Sequence, residues 1–167
     1  MRLISMEGKS AVAPNWDWDW DTGEGVSHID DPAEVDAAFE RGEWPLGSAV
    51  IGLAFNCSLE EALPRILRAT QLPDIAQRGF AFTAAGAAAR LNGRLTPELY
   101  EALRAEGHGG LAEYAIDDTL AFVPFRRLPP WLKWRKLWTG VRDKLESWWL
   151  RSGETVEEAW QALRRRS

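Results

Sequence analysis

Hydrophobic residues along this chain recur at helical spacing, and the segment that abandons the spacing is the most informative. From Ile75 to Leu91, IAQRGFAFTAAGAAARL is apolar or small on nearly every side. A surface helix carries one apolar stripe, so a helix of this composition belongs among neighbours. Alanine favours the helix and glycine opposes it, so Gly79 and Gly86 are expected to serve close packing. Amphipathic segments with readable ends flank it. Asp31 before Pro32 starts a helix that Gly42 stops after Arg41. Ser58 and Glu61 form a capping box for SLEEALPRILRATQ, which puts Leu59, Leu63, Ile66 and Leu67 on one face. Pro64 inside it predicts a kink or a later start. Asn92–Gly93 closes the central helix. Thr96–Pro97 opens TPELYEALRAEG, His108-Gly109-Gly110 is a turn, and GLAEYAIDDTLAFVPF reads as a further buried helix ending near Pro124. Pro45 to Asn56 is an apolar run that periodicity leaves as strand or helix. Helix is favoured, because the chain offers no second strand to pair with it.

These segments repeat. A shift of 36 residues lays Leu63, Ile66, Leu67, Arg68 and Ala69 on Leu99, Ala102, Leu103, Arg104 and Ala105. It also lays Ile75, Ala76 and Gln77 on Leu111, Ala112 and Glu113, and Thr83 on Thr119. One offset that matches both helices of a pair predicts stacked helical hairpins. In this the chain resembles HEAT and armadillo-type repeats over residues 58–125, with 32–56 as a degenerate first pair. Asp74 and Arg78 stand where that family often has an Asp and an Arg. The second copy departs from this with Gly110 and Tyr114. The expected fold is therefore all-α: a small HEAT-like stack of helical hairpins over 32–125, an extended N-terminal arm over 1–31, and basic Trp-rich helices over 126–167 packed on the same single domain.

Two Trp-rich stretches frame the stack. In NWDWDWDTGEG, Trp16, Trp18 and Trp20 alternate with Asp17, Asp19 and Asp21. Period two puts rings on one side of an extended segment and carboxylates on the other. The D-x-D-x-D start is that of a calcium loop, but Thr22 stands where the glycine belongs and His28 where the bidentate Glu belongs. An arm whose rings pack on the helices, or one that binds a partner, fits better. In the second stretch, Trp131, Trp134, Trp138, Val141, Leu145 and Trp148 form one stripe with Lys133, Arg135, Lys136, Arg142 and Lys144 beside it. The stripe is expected to cap the stack. A membrane surface, a partner helix or a dimer seam would use the same pattern. Thr155 caps a last predicted helix, TVEEAWQALRRR.

Charge sharpens the picture. The net charge is −5, with an acidic front over residues 1–44 and a basic tail over 126–167. No run nears the ~20 apolar residues that span a bilayer. Leu3–Met6 is too short for a signal core, so a cytoplasmic protein is expected. The Arg-, Ala- and Gly-rich composition has a bacterial cast. Cys57 is the one cysteine, expected as a small buried hydrophobe. No phosphate-binding, nucleophile-elbow or zinc-helix motif is present. His28 and His108 fall in loops, and Asp117 and Asp118 point apart on a helix, one of them expected to cap the following turn or to pair with an Arg such as Arg90 or Arg126. No cofactor, no metal and no catalytic residue is assigned, and nucleic acid is disfavoured by the acidic arm. The expected function is a non-enzymatic protein-binding module, of the immunity or antitoxin kind, that blocks a basic toxin. Trp16, Asp17, Trp18, Asp19, Trp20 and Asp21 are its expected contacts. The alternatives are a membrane-surface adaptor through the Trp stripe, or a metal-dependent enzyme around the aspartates.

Overall fold

Side-chain caps decide where most of the helices begin. In the computed structural model, which describes residues 18–107, 109–138 and 140–141, α1 spans Pro32–Arg41. Asp31 Oδ1 accepts the N–H groups of Ala33 and Glu34, and Gly42 ends the helix in the left-handed conformation (φ 72°). α3 (Leu59–Ala69) has the full capping box between Ser58 and Glu61. It runs unbroken through Pro64, so the later start that proline suggested is not adopted. α4 (Ile75–Asn92) opens with Asp74 accepting the Gln77 N–H at 2.8 Å and closes on left-handed Gly93. α5 (Pro97–Glu106) opens with Thr96 accepting the Leu99 N–H. Each cap satisfies an orphan donor that burial would otherwise penalise.

The run Pro45–Asn56 is resolved as helix α2 (Leu46–Asn56). α6 spans Glu113–Phe122 and begins after a turn at 109–112. A further helical stretch covers 130–138. No strand occurs among the described residues, in keeping with the all-α reading. The expected elements at Trp16, Asp17, His108, Leu145, Trp148 and the helix after Thr155 lie outside the described residues.

The helices contact one another in two rows. α1 packs on α3 and α3 on α5; α2 packs on α4 and α4 on α6, with α3 bridging to α2 and α4. The α2–α4 contact is the most extensive, and glycine explains how close it is. A Cβ on Gly47 would lie 2.1 Å from the Gln77 carbonyl oxygen. Gly86 plays the same part against α6, where a Cβ would meet the Ala115 Cα at 2.9 Å. Gly79, expected to serve packing as well, has only ordinary contact with Leu111.

Two apolar clusters fill the interior. The first joins α1–α5 and includes Val35, Val50, Leu53, Ile66 and, from α5, Leu99. The second joins α4, α5, α6 and the 130–138 stretch through Phe82, Leu103, Ile116, Leu128 and Leu132. Each large side chain fully buried in this way contributes about 1.5–3 kcal/mol. α4 is buried along most of its length, yet Ile75, Phe80 and Leu91 are exposed, so one edge of it is open. α6 is likewise only half covered: Tyr114 and Phe122 face outward.

Candidate functional site

The turns that join α1 to α2, α3 to α4 and α5 to α6 leave depressions between them. The deeper one holds about 730 Å³. Phe39 closes one side, Trp44 and Leu46 another, and Leu72, Pro73 and Ala76 the third. Trp44 is 57% exposed. Its place is set by a short Gly42–Pro45 link that leaves nowhere to bury an indole, and its Nε1 donates to the Asp21 carbonyl at 3.3 Å. A second depression, about 680 Å³, continues beyond Asp74 and Ala76 along Ile75, Phe80, Leu111 and Tyr114. The two share the first turn of α4, so they form one elongated apolar surface.

Gln77 sits at the floor of the deeper depression, 5% exposed. α2 has no capping side chain of its own at Pro45. Gln77 supplies one from α4, its Oε1 accepting the Gly47 N–H at 2.8 Å. An N–H only donates, so the oxygen must face α2 and the Nε2 group must face away from that bond. Nε2 makes no hydrogen bond among the described residues. It is not sealed off either, because the one enclosed unpaired side-chain polar atom there is Arg78 Nε.

Charge around the rim is largely paired. Arg68 lies over the Phe39 ring and donates to Glu40 at 2.9 Å. Arg41 donates to Glu34 and Glu43, which raise its pKa, with Glu43 the larger cause. Asp74 spends one oxygen on capping α4.

The predicted arm is placed differently from expectation. Extension stops by Trp20, and residues 19–24 close into a turn: Asp19 N–H donates to the Glu24 carbonyl and Gly23 N–H to the Asp19 carbonyl. Asp19 Oδ1 accepts the Asp21 N–H at 2.8 Å. The Thr22 hydroxyl, then the Asp21 N–H, hold the Asp19 carboxyl below its ordinary pKa. Val26 and Ile29 follow, both fully buried, and Ile29 runs against Gly52 of α2. Residues 18–30 are thus a strap across the first core. Trp18 and Trp20 pack on that core, and Trp20 Nε1 donates to Glu34. Their rings are therefore spent on the fold, while Asp19 and Asp21 stay exposed. Gly23 and the Asp21 backbone carbonyl place the turn that carries Asp19 and Asp21 against exposed Trp44, a tryptophan that the sequence pattern does not single out.

The C-terminal stripe is also turned. Leu132 is buried and Trp131 packs on the second cluster at 6.4 Å from Tyr100, but Trp134 and Trp138 are 74% and 71% exposed. The cations beside them point inward: Arg135 pairs with Glu113 and Asp117, and Lys136 donates to the Leu120 carbonyl at the end of α6. The expected capping face is therefore an outer face at Trp134, Trp138 and Val141.

Asp117 and Asp118 do point apart, the first toward Arg135 and the second toward Arg90 at 3.9 Å. Cys57 is half-buried rather than buried, its Sγ donating to the Asp30 carbonyl. Among the described residues, no group of three or more His, Cys, Asp or Glu could hold a metal ion, and no helix is long and apolar enough to cross a membrane. Both residues missed from sequence had a signal. Gln77 is a polar side chain on a helix built for burial, which requires a partner. Trp44 sits in a link too short to cover it. Comparison with protein-family models, curated proteins and solved structures finds no match.

Proposed function

We propose that this chain is a non-enzymatic protein-binding module of the immunity or antitoxin kind, acting in a bacterial cytoplasm and blocking a basic partner through an acidic aromatic surface. The observation that carries the reading is the acidic turn at 19–24 held against exposed Trp44, beside an elongated apolar surface. An exposed indole beside a turn that bears carboxylates suits a basic surface, since tryptophan is favoured in binding hot spots while charge steers the encounter. The hairpins are read as HEAT- or armadillo-like, supported by the repeat offset and by the two rows of helices. In such an architecture the turns and outer faces are left for recognition.

The contacts proposed are Asp19 and Asp21 with Trp44. Trp16 and Asp17 adjoin them in sequence. Nucleic acid is set aside, because the same carboxylates repel phosphate. The test is coexpression with the product of the adjacent gene, followed by titration of the purified pair. Replacing Asp19 and Asp21 by Asn should weaken the complex and flatten its salt dependence. Unchanged affinity would overturn the choice of surface.

A second reading, a membrane-surface adaptor, is favoured by the outward Trp134 and Trp138. Flotation with anionic vesicles tests it, and absence of binding removes it.

A further inference from the structure

We infer that the depression floored by Gln77 is an anchor pocket, which takes one bulky apolar side chain of the partner protein while Gln77 Nε2 donates to the backbone carbonyl beside it. This rests on the protein-binding reading above and names what that surface grips. Gln77 is nine-tenths buried, held by its oxygen to Gly47, and left with a donor that nothing in the described chain accepts. A fixed donor at the floor of an apolar pocket is how binding sites set orientation. Phe39, Trp44, Leu46 and Leu72 supply the walls, and about 730 Å³ admits an aromatic side chain with its flanking backbone.

A segment of protein fits better than a compact small molecule, because the apolar surface runs on past Ala76 into the second depression. The rim decides what flanks the anchor. Of the charged residues that line it, Arg68 is engaged by Glu40 and Glu43 by Arg41, whereas Asp74 has no ion pair among the described residues; exposed Asp21 adjoins through Trp44. The unmatched charge in the lining is therefore negative, so a lysine or arginine next to the apolar residue is the complement.

The full chain is titrated at low salt with acetyl-Lys-Phe-Lys-amide, acetyl-Gly-Phe-Gly-amide and acetyl-Glu-Phe-Glu-amide, followed by the NMR signals of the Gln77 side-chain amide and the Trp44 indole N–H. All three should move both signals, with Lys-Phe-Lys about tenfold tighter than Glu-Phe-Glu, a modest electrostatic preference. Gln77→Glu keeps an oxygen for the Gly47 N–H and removes the donor, so Gly-Phe-Gly should weaken about tenfold. Ala76→Phe, on the exposed first turn of α4, should fill the pocket and abolish binding without touching either core.

If no peptide moves either signal in the wild-type chain, the pocket is overturned, while the acidic surface keeps its own charge-variant test. Equal affinity for all three peptides would retain the pocket and overturn the acidic reading. Phenylalanine amide binding as tightly as the peptides would overturn the partner-segment assignment in favour of a small-molecule site.

Discussion

The Gly47 N–H and the Gln77 side chain meet at 2.8 Å across the α2–α4 contact, so one helix completes the first turn of another. The same glycine lies so close to the Gln77 backbone that any Cβ would overlap it. Backbone cannot step aside as a side-chain tip can. Gly47→Ala should therefore cost about 3 kcal/mol, the upper end of overpacking. Urea unfolding checks this, and a loss below about 1 kcal/mol would mean that the two helices separate easily.

Gly79 and Gly86 lie two turns apart on α4 and should respond with opposite signs. A Cβ at Gly86 meets the α6 backbone, so Gly86→Ala should destabilise by about 2 kcal/mol. A Cβ at Gly79 meets only the Leu111 side chain at 3.7 Å. Helix propensity then dominates, and Gly79→Ala should stabilise by about 0.5–1 kcal/mol. Thermal unfolding of the two variants side by side decides it.

Trp134 and Trp138 should matter less to stability than Leu132, the buried leucine of the 130–138 stretch. Leu132→Ala removes a fully buried side chain and should cost about 2–5 kcal/mol. Trp134→Ala and Trp138→Ala should each fall within about 0.5 kcal/mol of the parent. A larger loss at either indole, by chemical denaturation, would place it in a core.

What was legible beforehand follows from how local each feature is. Asp31, Ser58, Thr96, Gly42 and Gly93 act within one turn of themselves, and each ends a helix where the sequence implied. Pro64 does not delay the start of α3, because the capping box at Ser58 already fixes that start and one missing hydrogen bond does not undo it. The Trp stripe misled for a physical reason. Spacing tells which residues share a face, and not which face turns inward. Lys136 on the Leu120 carbonyl and Arg135 on Glu113 bring the cationic side in, and those partners lie 16 and 22 residues away. Trp18 and Trp20, expected as partner contacts, pack on the first cluster, and the turn after them depends on Asp19 bonding its own neighbours. The pocket at Gln77 needs two helices and a link placed together, which no local pattern records.

The capping box of α3 should make stability fall in acid. The Ser58 hydroxyl, followed by its N–H, lowers the Glu61 pKa from its ordinary 4.5. A carboxylate with a depressed folded value favours the native state above that pH and loses the benefit as pH falls through the folded value. Glu61→Gln should leave a melting temperature that varies less with pH below about 4.5 than the parent's. Parallel melting curves across pH 3–6 (an interval chosen about the ordinary carboxylate range) provide the measurement.

Cys57 should be a sluggish thiol. Burial is the main cause that raises its pKa, with the nearby Glu61 and Asp30 charges adding to it. Less thiolate forms at a given pH, and the thiolate is the nucleophile. Labelling with a disulfide reagent at mildly alkaline pH should run several-fold faster in denaturant than in buffer. Equal rates would show an ordinary, open thiol.

α4 contributes Ala81, Ala85 and Ala88 to one cluster and Phe82 and Ala89 to the other. Neither half of the molecule therefore owns its interior outright. Melting one half strips the shared helix of support in the other, which ties their fates together. Heating should register as a single calorimetric peak whose van't Hoff and measured enthalpies agree, despite the repetitive layout of the chain.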